Sequence, residues 1–272
     1  MSSKVSLSPS RACEYLRCPL SYRFRAIDKL PEPRTEAQVK GTLTHAILEQ
    51  MHKWPRPKRT PQDALAIMDE EWEKICEADP EAAVAVPEKE LPRFFSSVRE
   101  MVNNYFLLEK PETFDATACE MRIDATLGNG VPIKGFMDRV DVAPTGEVRI
   151  IDYKTGKKPI PRFSHDATFQ MTFYALAYWR MYGVIPTYMQ LMYLKVQDSM
   201  YLYPHALELE AFEERLKTIW ANIEADGKSG YFEPKVTKLC DYCSFKEYCP
   251  AFDGRPPVYP GWPNDMSDEG SE

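Results

Sequence analysis

The stretch GFMDRVD (Gly135–Asp141), followed after a short bend by IIDYKTG (Ile150–Gly156), decides how the rest of the chain is read. Between the two, Ala143-Pro144-Thr145-Gly146 supplies the Pro and Gly of a hairpin turn. A connection of that length sets Asp138 opposite Ile151 or Asp152 in an antiparallel ladder. In the even register the carboxylates of Asp138 and Asp152 share one face. Lys154, two residues beyond Asp152, joins them there by the alternation of a strand. Two carboxylates and a lysine at a strand end suit a hard divalent cation with a water oriented beside it. A hairpin with a surface salt bridge would account for the charges. It would not account for D-Y-K running directly out of the apolar Val148, Ile150 and Ile151.

The 272-residue chain has the composition of a soluble globular protein, 44% hydrophobic and 28% charged. No apolar run approaches membrane-spanning length, and MSSKVSLSPSR lacks a signal-peptide core, so a cytoplasmic location without membrane partners is expected. A net charge of −7 argues against non-specific coating of nucleic acid. Local clusters still set the field at a cleft. Arg11, Arg17, Arg23 and Arg25 form one such cluster, and Lys154, Lys157, Lys158 and Arg162 another. Seven cysteines in a cytosolic chain suggest metal or redox chemistry before disulfides. Cys240, Cys243 and Cys249 form a C-x2-C-x5-C run, Cys18 stands alone near the other end, and Cys13, Cys76 and Cys119 fit no ligand spacing.

Along the chain, Ser8 or Ser10 and Pro9 read as the entry to a short helix over Arg11–Leu16. Residues 28–37 read as a loop and Gly41–His52 as a helix with Leu43, Ala46, Ile47 and Met51 at core spacing, leaving His45 and Glu49 off that stripe. Further helices are expected near 62–78 and 88–109, and strands at 116–127, 131–142 and 147–154, with Gly128-Asn129-Gly130 as a turn. An amphipathic helix His165–Tyr182, strands near 187–196 and 200–206, and a last helix over 208–225 complete the pattern. The phosphate-loop motif G-x-x-x-x-G-K-[ST] is absent, so no NTP-driven motor is encoded in these residues.

His45 in GTLTHAILE, Asp138 in GFMDRVD, Asp152 and Lys154 in DYKTG, and Gln170 and Tyr174 in QMTFY occur in the order found in RecB-type nucleases. With Cys18 in CPLSYRF and the Cys240/Cys243/Cys249 run, the chain resembles the iron–sulfur subgroup of the PD-(D/E)xK superfamily over roughly residues 8–252. That subgroup includes the CRISPR-associated RecB-like exonucleases and the AddB nuclease domain. The resemblance implies an α/β fold with a restriction-endonuclease-like core: a mixed central sheet flanked by helices, with a helical N-terminal insertion. It implies one nuclease domain over 1–252, an iron–sulfur lobe joining 8–30 to 236–252, and a flexible acidic tail over 253–272.

By the same resemblance, His45, Asp138, Asp152 and the main-chain carbonyl of Tyr153 hold Mn²⁺ or Mg²⁺, and the imidazole favours Mn²⁺. Lys154 stabilises charge on the phosphoryl oxygens. Gln170 and Tyr174, at i and i+4, form a positioning pair on one helix face. His52 is a weaker candidate expected at the surface, and Glu120 a weak candidate for supporting the site. Three thiolates from one loop plus distant Cys18 suit a [4Fe–4S] cluster better than zinc, which usually shows two paired C-x2-C elements. Such a cross-link stabilises by about 5 kcal/mol on a loop-closure estimate.

The expected reaction is phosphodiester hydrolysis by a metal-dependent deoxyribonuclease, an exonuclease acting on single-stranded DNA or DNA ends, with a protein partner in a DNA-processing pathway. Lys157, Lys158 and Arg162 on one side and Arg17, Arg23 and Arg25 on the other would form a basic passage. Tyr22, Phe24, Tyr153 and Phe163 are candidates for base stacking or for packing. The alternatives are a non-catalytic nucleic-acid-binding or assembly subunit that keeps the fold, and a zinc-stapled protein with unrelated chemistry.

Overall fold

The computed structural model of the chain describes residues 4–159 and 165–263. One five-stranded sheet runs in the order β1 (Ala118–Thr126), β2 (Pro132–Val142), β3 (Val148–Lys154), β4 (Tyr188–Tyr193), β5 (Asp198–Leu202). β2 and β3 are antiparallel from Val142↔Val148 to Arg139↔Ile151. This is the even register, and one step further Asp138 falls opposite Asp152. The bend forms where expected, with Gly146 at φ +98° and Ala143 N–H donating to Glu147 O at 2.9 Å. β3 and β4 are parallel, with Lys154 beside Tyr193, and β4 and β5 are antiparallel. A parallel pair needs a long crossover. Helix α8 (His165–Tyr182) lies in that connection. The fold class is therefore α/β, a mixed sheet with flanking helices.

The remaining helices are α1 (Pro9–Arg17), α2 (Pro19–Tyr22), α3 (Glu36–His52), α4 (Pro61–Ala66), α5 (Met68–Ala78), α6 (Glu81–Ala85), α7 (Leu91–Leu108) and α9 (Ala206–Ser229). Ser8 caps α1 and Pro9 opens it, as the sequence predicts. Several boundaries differ from expectation for local reasons. α3 begins at Glu36, five residues early, because Thr35 and Gln38 form a reciprocal capping box inside what reads as a loop. The helix expected over 62–78 breaks at Ile67. β4 stops at Tyr193, where a 3₁₀ turn and left-handed Gln197 (φ 51°) redirect the chain into β5.

The chain divides into two compact units. One comprises Pro33–Arg122 and Phe136–His205. Its core joins Leu43, Ile47 and Met51 of α3, Phe94, Val98 and Tyr105 of α7, and Ile151, Tyr153 and Met192 of the sheet. The other comprises Met1–Glu32, Ile123–Gly135 and Ala206–Glu272. There α1 and α2 continue into a π-helical turn, Arg23–Ile27, and Tyr22, Phe24, Phe232 and Phe245 are buried. Two side chains of the expected tail, Tyr259 and Trp262, reach α9. Trp262 lies against α9 so closely that a Cβ at Gly227 would meet its ring at 2.3 Å, and Tyr259 Oη donates to Gly227 O at 2.7 Å. Residues 264–272, with their acidic side chains, lie outside the described residues.

Candidate metal and nuclease centre

The site is built at the carboxyl end of β3, and its hub is the main chain of Tyr153. Beyond the last ladder pair, the Tyr153 N–H donates to Asp138 Oδ2 at 2.7 Å, so a side chain replaces the main-chain acceptor of the hairpin. On the carbonyl side, His45 Nε2 lies 2.9 Å from Tyr153 O. A carbonyl can only accept, so Nε2 carries the hydrogen of that contact. His45 Nδ1 then faces Asp138 Oδ2 at 3.5 Å. An imidazole lone pair set against a carboxylate is repulsive unless a proton or a cation is shared between them.

Glu120 adds a third donor. One ligand atom each from His45, Glu120 and Asp138 lie within 4.8 Å of one another, the one such cluster among the described residues. Glu120 adopts φ 48°, a left-handed conformation unusual for a non-glycine residue in a strand. Burial and the Asp138 carboxylate push its acid up to about 7. Asp138 is held well above the ordinary carboxylate range by burial and by Asp152. Neighbouring buried acids that resist ionisation together mark a candidate functional site. A histidine nitrogen with two carboxylates fits a divalent cation, Mn²⁺ more readily than Mg²⁺.

Asp152 is engaged differently. Its Oδ1 accepts from Gln170 Nε2 at 2.7 Å, Gln170 Oε1 accepts from Lys154 Nζ at 2.6 Å, and Lys154 Nζ is ion-paired with Asp152 Oδ2 at 2.7 Å. The ring closes through both ends of one amide, which fixes the amide's orientation. Burial disfavours the Lys154 charge, but Asp152 and Asp138 outweigh it and raise the ammonium above its ordinary value. Lys154 therefore stays protonated at neutral pH and serves as a charge, not a base. Tyr174, one turn from Gln170, hydrogen-bonds it, and burial and Asp152 keep its phenol protonated. His45, Asp138, Tyr153, Asp152, Lys154, Gln170 and Tyr174 thus come together, and Glu120 joins them. What marks Glu120 is its backbone conformation, which has no letter in the sequence.

His52 is buried, not at the surface, and burial with the nearby Arg139 guanidinium pushes it down to about 3. On the second wall of the expected basic passage, Arg17 and Arg25 are exposed and Arg23 is buried. Arg23 is 6% exposed and ion-paired with Asp28 at 3.0 Å, and Arg25 is paired with Glu14 and Glu32. Tyr22, Phe24 and Tyr153 are buried, so they pack rather than stack on bases. On the other wall, Lys157 is exposed and Lys158 Nζ is held by Asp198 at 2.6 Å. Arg162 and Phe163 lie outside the described residues.

In the other unit, Cys18, Cys240, Cys243 and Cys249 line one cleft with Phe24, Phe245 and Phe252. Main-chain N–H groups of Lys235 and Thr237 point at the sulfurs of Cys18 and Cys240, at 3.5 and 3.4 Å. A Phe245 N–H serves Cys243 in the same way. Cys13, Cys76 and Cys119 are not among the residues lining this cleft.

Among the described residues no helix is long and apolar enough to cross a membrane. The chain is 26% identical to the Gene 69 protein of Mycobacterium phage L5 over 286 residues, covering 90% of this chain and 96% of that protein. It is 27% identical to the Gene 69 protein of Mycobacterium phage D29 over 202 residues, covering 65% and 70%. A solved structure from Eubacterium rectale, provisionally described as an exonuclease, superposes with a TM-score of 0.57 at 16% identity, covering 88% of this chain and 86% of that one, and shares the fold. The family model of the PD-(D/E)XK nuclease superfamily matches residues 6–250, and with the carboxylates, lysine and glutamine disposed as above, the chain belongs to that superfamily.

Proposed function

We propose that this chain is a divalent-cation-dependent DNA nuclease, an exonuclease acting on single strands or DNA ends. The observation that carries the reading is the facing of His45 Nδ1 and Asp138 Oδ2 across 3.5 Å beside Glu120, with protonated Lys154, the residue after Tyr153, held by Asp152 and Gln170. His45, Asp138 and Glu120, with the Tyr153 carbonyl, would hold the cation, and Asp152 is the further acid within reach of it. When bound, a divalent cation supplies polarisation of a phosphoryl oxygen and activation of a water. Lys154 contributes a fixed ammonium for the charge that develops on the phosphate. Gln170 keeps that ammonium and the Asp152 carboxylate in register, and Tyr174 steadies Gln170.

The exonuclease and DNA elements of this reading draw on the superfamily and on the description of the Eubacterium rectale protein. Exposed Lys157 and tethered Lys158 would meet the phosphate backbone. We also read the cysteine cleft as the seat of a [4Fe–4S] cluster within a single nuclease domain of the iron–sulfur subgroup. Main-chain N–H groups aimed at sulfur favour thiolates, and the corners of a cubane hold thiolates farther apart than ligands of one ion. Its role is structural, tying Cys18 to the 240–249 segment.

The test is digestion of end-labelled single- and double-stranded DNA with Mn²⁺, Mg²⁺ or EDTA. Metal-dependent shortening from the ends, lost in Asp152→Ala, is expected. Tight DNA binding without cleavage under any metal would favour a non-catalytic assembly subunit instead.

A further inference from the structure

Arg139 follows Asp138 in β2 and so points to the opposite face of the sheet. It is 0% exposed. Its Nη1 lies 2.8 Å from the Tyr153 hydroxyl, 2.9 Å from His52 Nε2 and 3.2 Å from the Tyr105 hydroxyl. Nη2 is paired with Glu109 at 2.7 Å and Nε with Asp141 at 3.1 Å, while the Phe114 ring covers the guanidinium at 5.0 Å. A buried ion network of this kind adds little stability over well-packed apolar side chains. Its presence asks for a geometric reason.

The partners supply one. Tyr153 is the residue whose N–H is held by Asp138 and whose carbonyl accepts from His45. His52 lies seven residues after His45, two turns along the same face of α3. One guanidinium on the far side of the sheet thus grips side chains from the two elements whose near sides converge on the cation site. Its planar fork sets direction as well as distance, which a lysine ammonium cannot do.

We propose that Arg139 is a positioning residue: through the Tyr153 hydroxyl and His52 it fixes the spacing of α3 from the β2–β3 hairpin, and so the approach of His45 to Asp138 and the Tyr153 carbonyl. The inference rests on the cation reading above. Arg139→Lys keeps the charge and loses the fork, and Tyr153→Phe removes only the hydroxyl that the fork holds. Outer partners of metal ligands typically govern affinity by about 10- to 100-fold.

The experiment titrates the full-length protein with Mn²⁺ and follows loss of the free-ion electron paramagnetic resonance signal, with thermal midpoints measured in parallel. Val98→Ala, in the same core and two turns of α7 from Tyr105, is the control for general loosening. Both fork variants are expected to remain folded and to bind Mn²⁺ at least about tenfold more weakly, while Val98→Ala lowers the midpoint and binds as wild type. Wild-type affinity in Arg139→Lys and Tyr153→Phe overturns the positioning role and leaves the cation site standing. Equal weakening in Val98→Ala overturns it as well. A wild-type protein that binds no Mn²⁺ overturns the cation reading and this inference together.

Discussion

Replacing Asp138 by Asn will reverse sign with metal: the variant is more stable than wild type in EDTA and less stable in Mn²⁺. Asn keeps an oxygen to accept the Tyr153 N–H, so the hairpin contact survives. What it removes is a carboxylate that burial and Asp152 hold in an unfavourable state. Donor atoms of Glu120 and Asp138 lie within 4.8 Å. At an effective dielectric near 20, two full charges at about 5 Å repel by about 3 kcal/mol. The attraction of Asp138 to Lys154 offsets part of this. A net gain of about 1–2 kcal/mol is expected, or roughly 3–6 °C in thermal midpoint for a chain near this size.

The pH dependence follows from the direction of the shift. Asp138 titrates above its ordinary value of 3.8, so above that pH the folded wild type retains a proton that the unfolded chain has released. Wild-type stability without metal is therefore complete at low pH and declines as pH rises through the folded-state titration. Glu120, raised to about 7, adds a decline in the same direction between its ordinary 4.5 and that value. The advantage of Asp138→Asn should vanish below about pH 4 and grow as pH rises above it. With Mn²⁺ at about 100 times its dissociation constant the wild type gains about 2.7 kcal/mol and the variant gains almost nothing. Melting curves in EDTA and in Mn²⁺ at three pH values decide it. A variant less stable than wild type in EDTA at the higher pH would refute the reasoning, as would equal stabilisation of both by Mn²⁺.

Lys154→Ala will retain Mn²⁺ binding in the same titration while losing cleavage by at least about 100-fold, since one electrostatic stabiliser is worth that much; loss of Mn²⁺ binding would place Lys154 in the wrong role. Cys18→Ser, Cys240→Ser, Cys243→Ser and Cys249→Ser will each lose iron and acid-labile sulfide, whereas Cys13→Ser, Cys76→Ser and Cys119→Ser will not. Full iron in Cys18→Ser, or zinc in its place in the wild type, contradicts the cluster. Charge reversal of Lys157 and Lys158 together will raise KM for DNA several-fold more than it lowers kcat, because neither contacts the cation donors; the reverse split, read from initial rates at two salt concentrations, would move them into the reacting centre.

The parts of the site that the sequence made legible are those fixed by periodicity. A strand alternates with period two, so Asp152, Lys154 and the even register of the hairpin follow once the Pro144–Gly146 bend is placed. A helix repeats with period near four, so Gln170 and Tyr174 fall together. What stayed hidden depends on contacts between elements. The basic letters of Arg23 and Arg25 read as unpaired until Asp28, Glu14 and Glu32 are folded against them. Glu120 is legible only as a weak supporting candidate, because its place beside Asp138 comes with a left-handed backbone. Arg139 carries no reading of its own, since nothing near it in sequence announces Glu109, Tyr105 and His52. These cases share one physical origin. A charge written in sequence says only that its desolvation must be answered, and the answering partners come from distant segments. Where the answer is a neighbouring acid, the charge is structural. Where acids converge on a histidine, as Asp138 and Glu120 do on His45, the donor set suits a divalent cation, and that is the chemistry of the site.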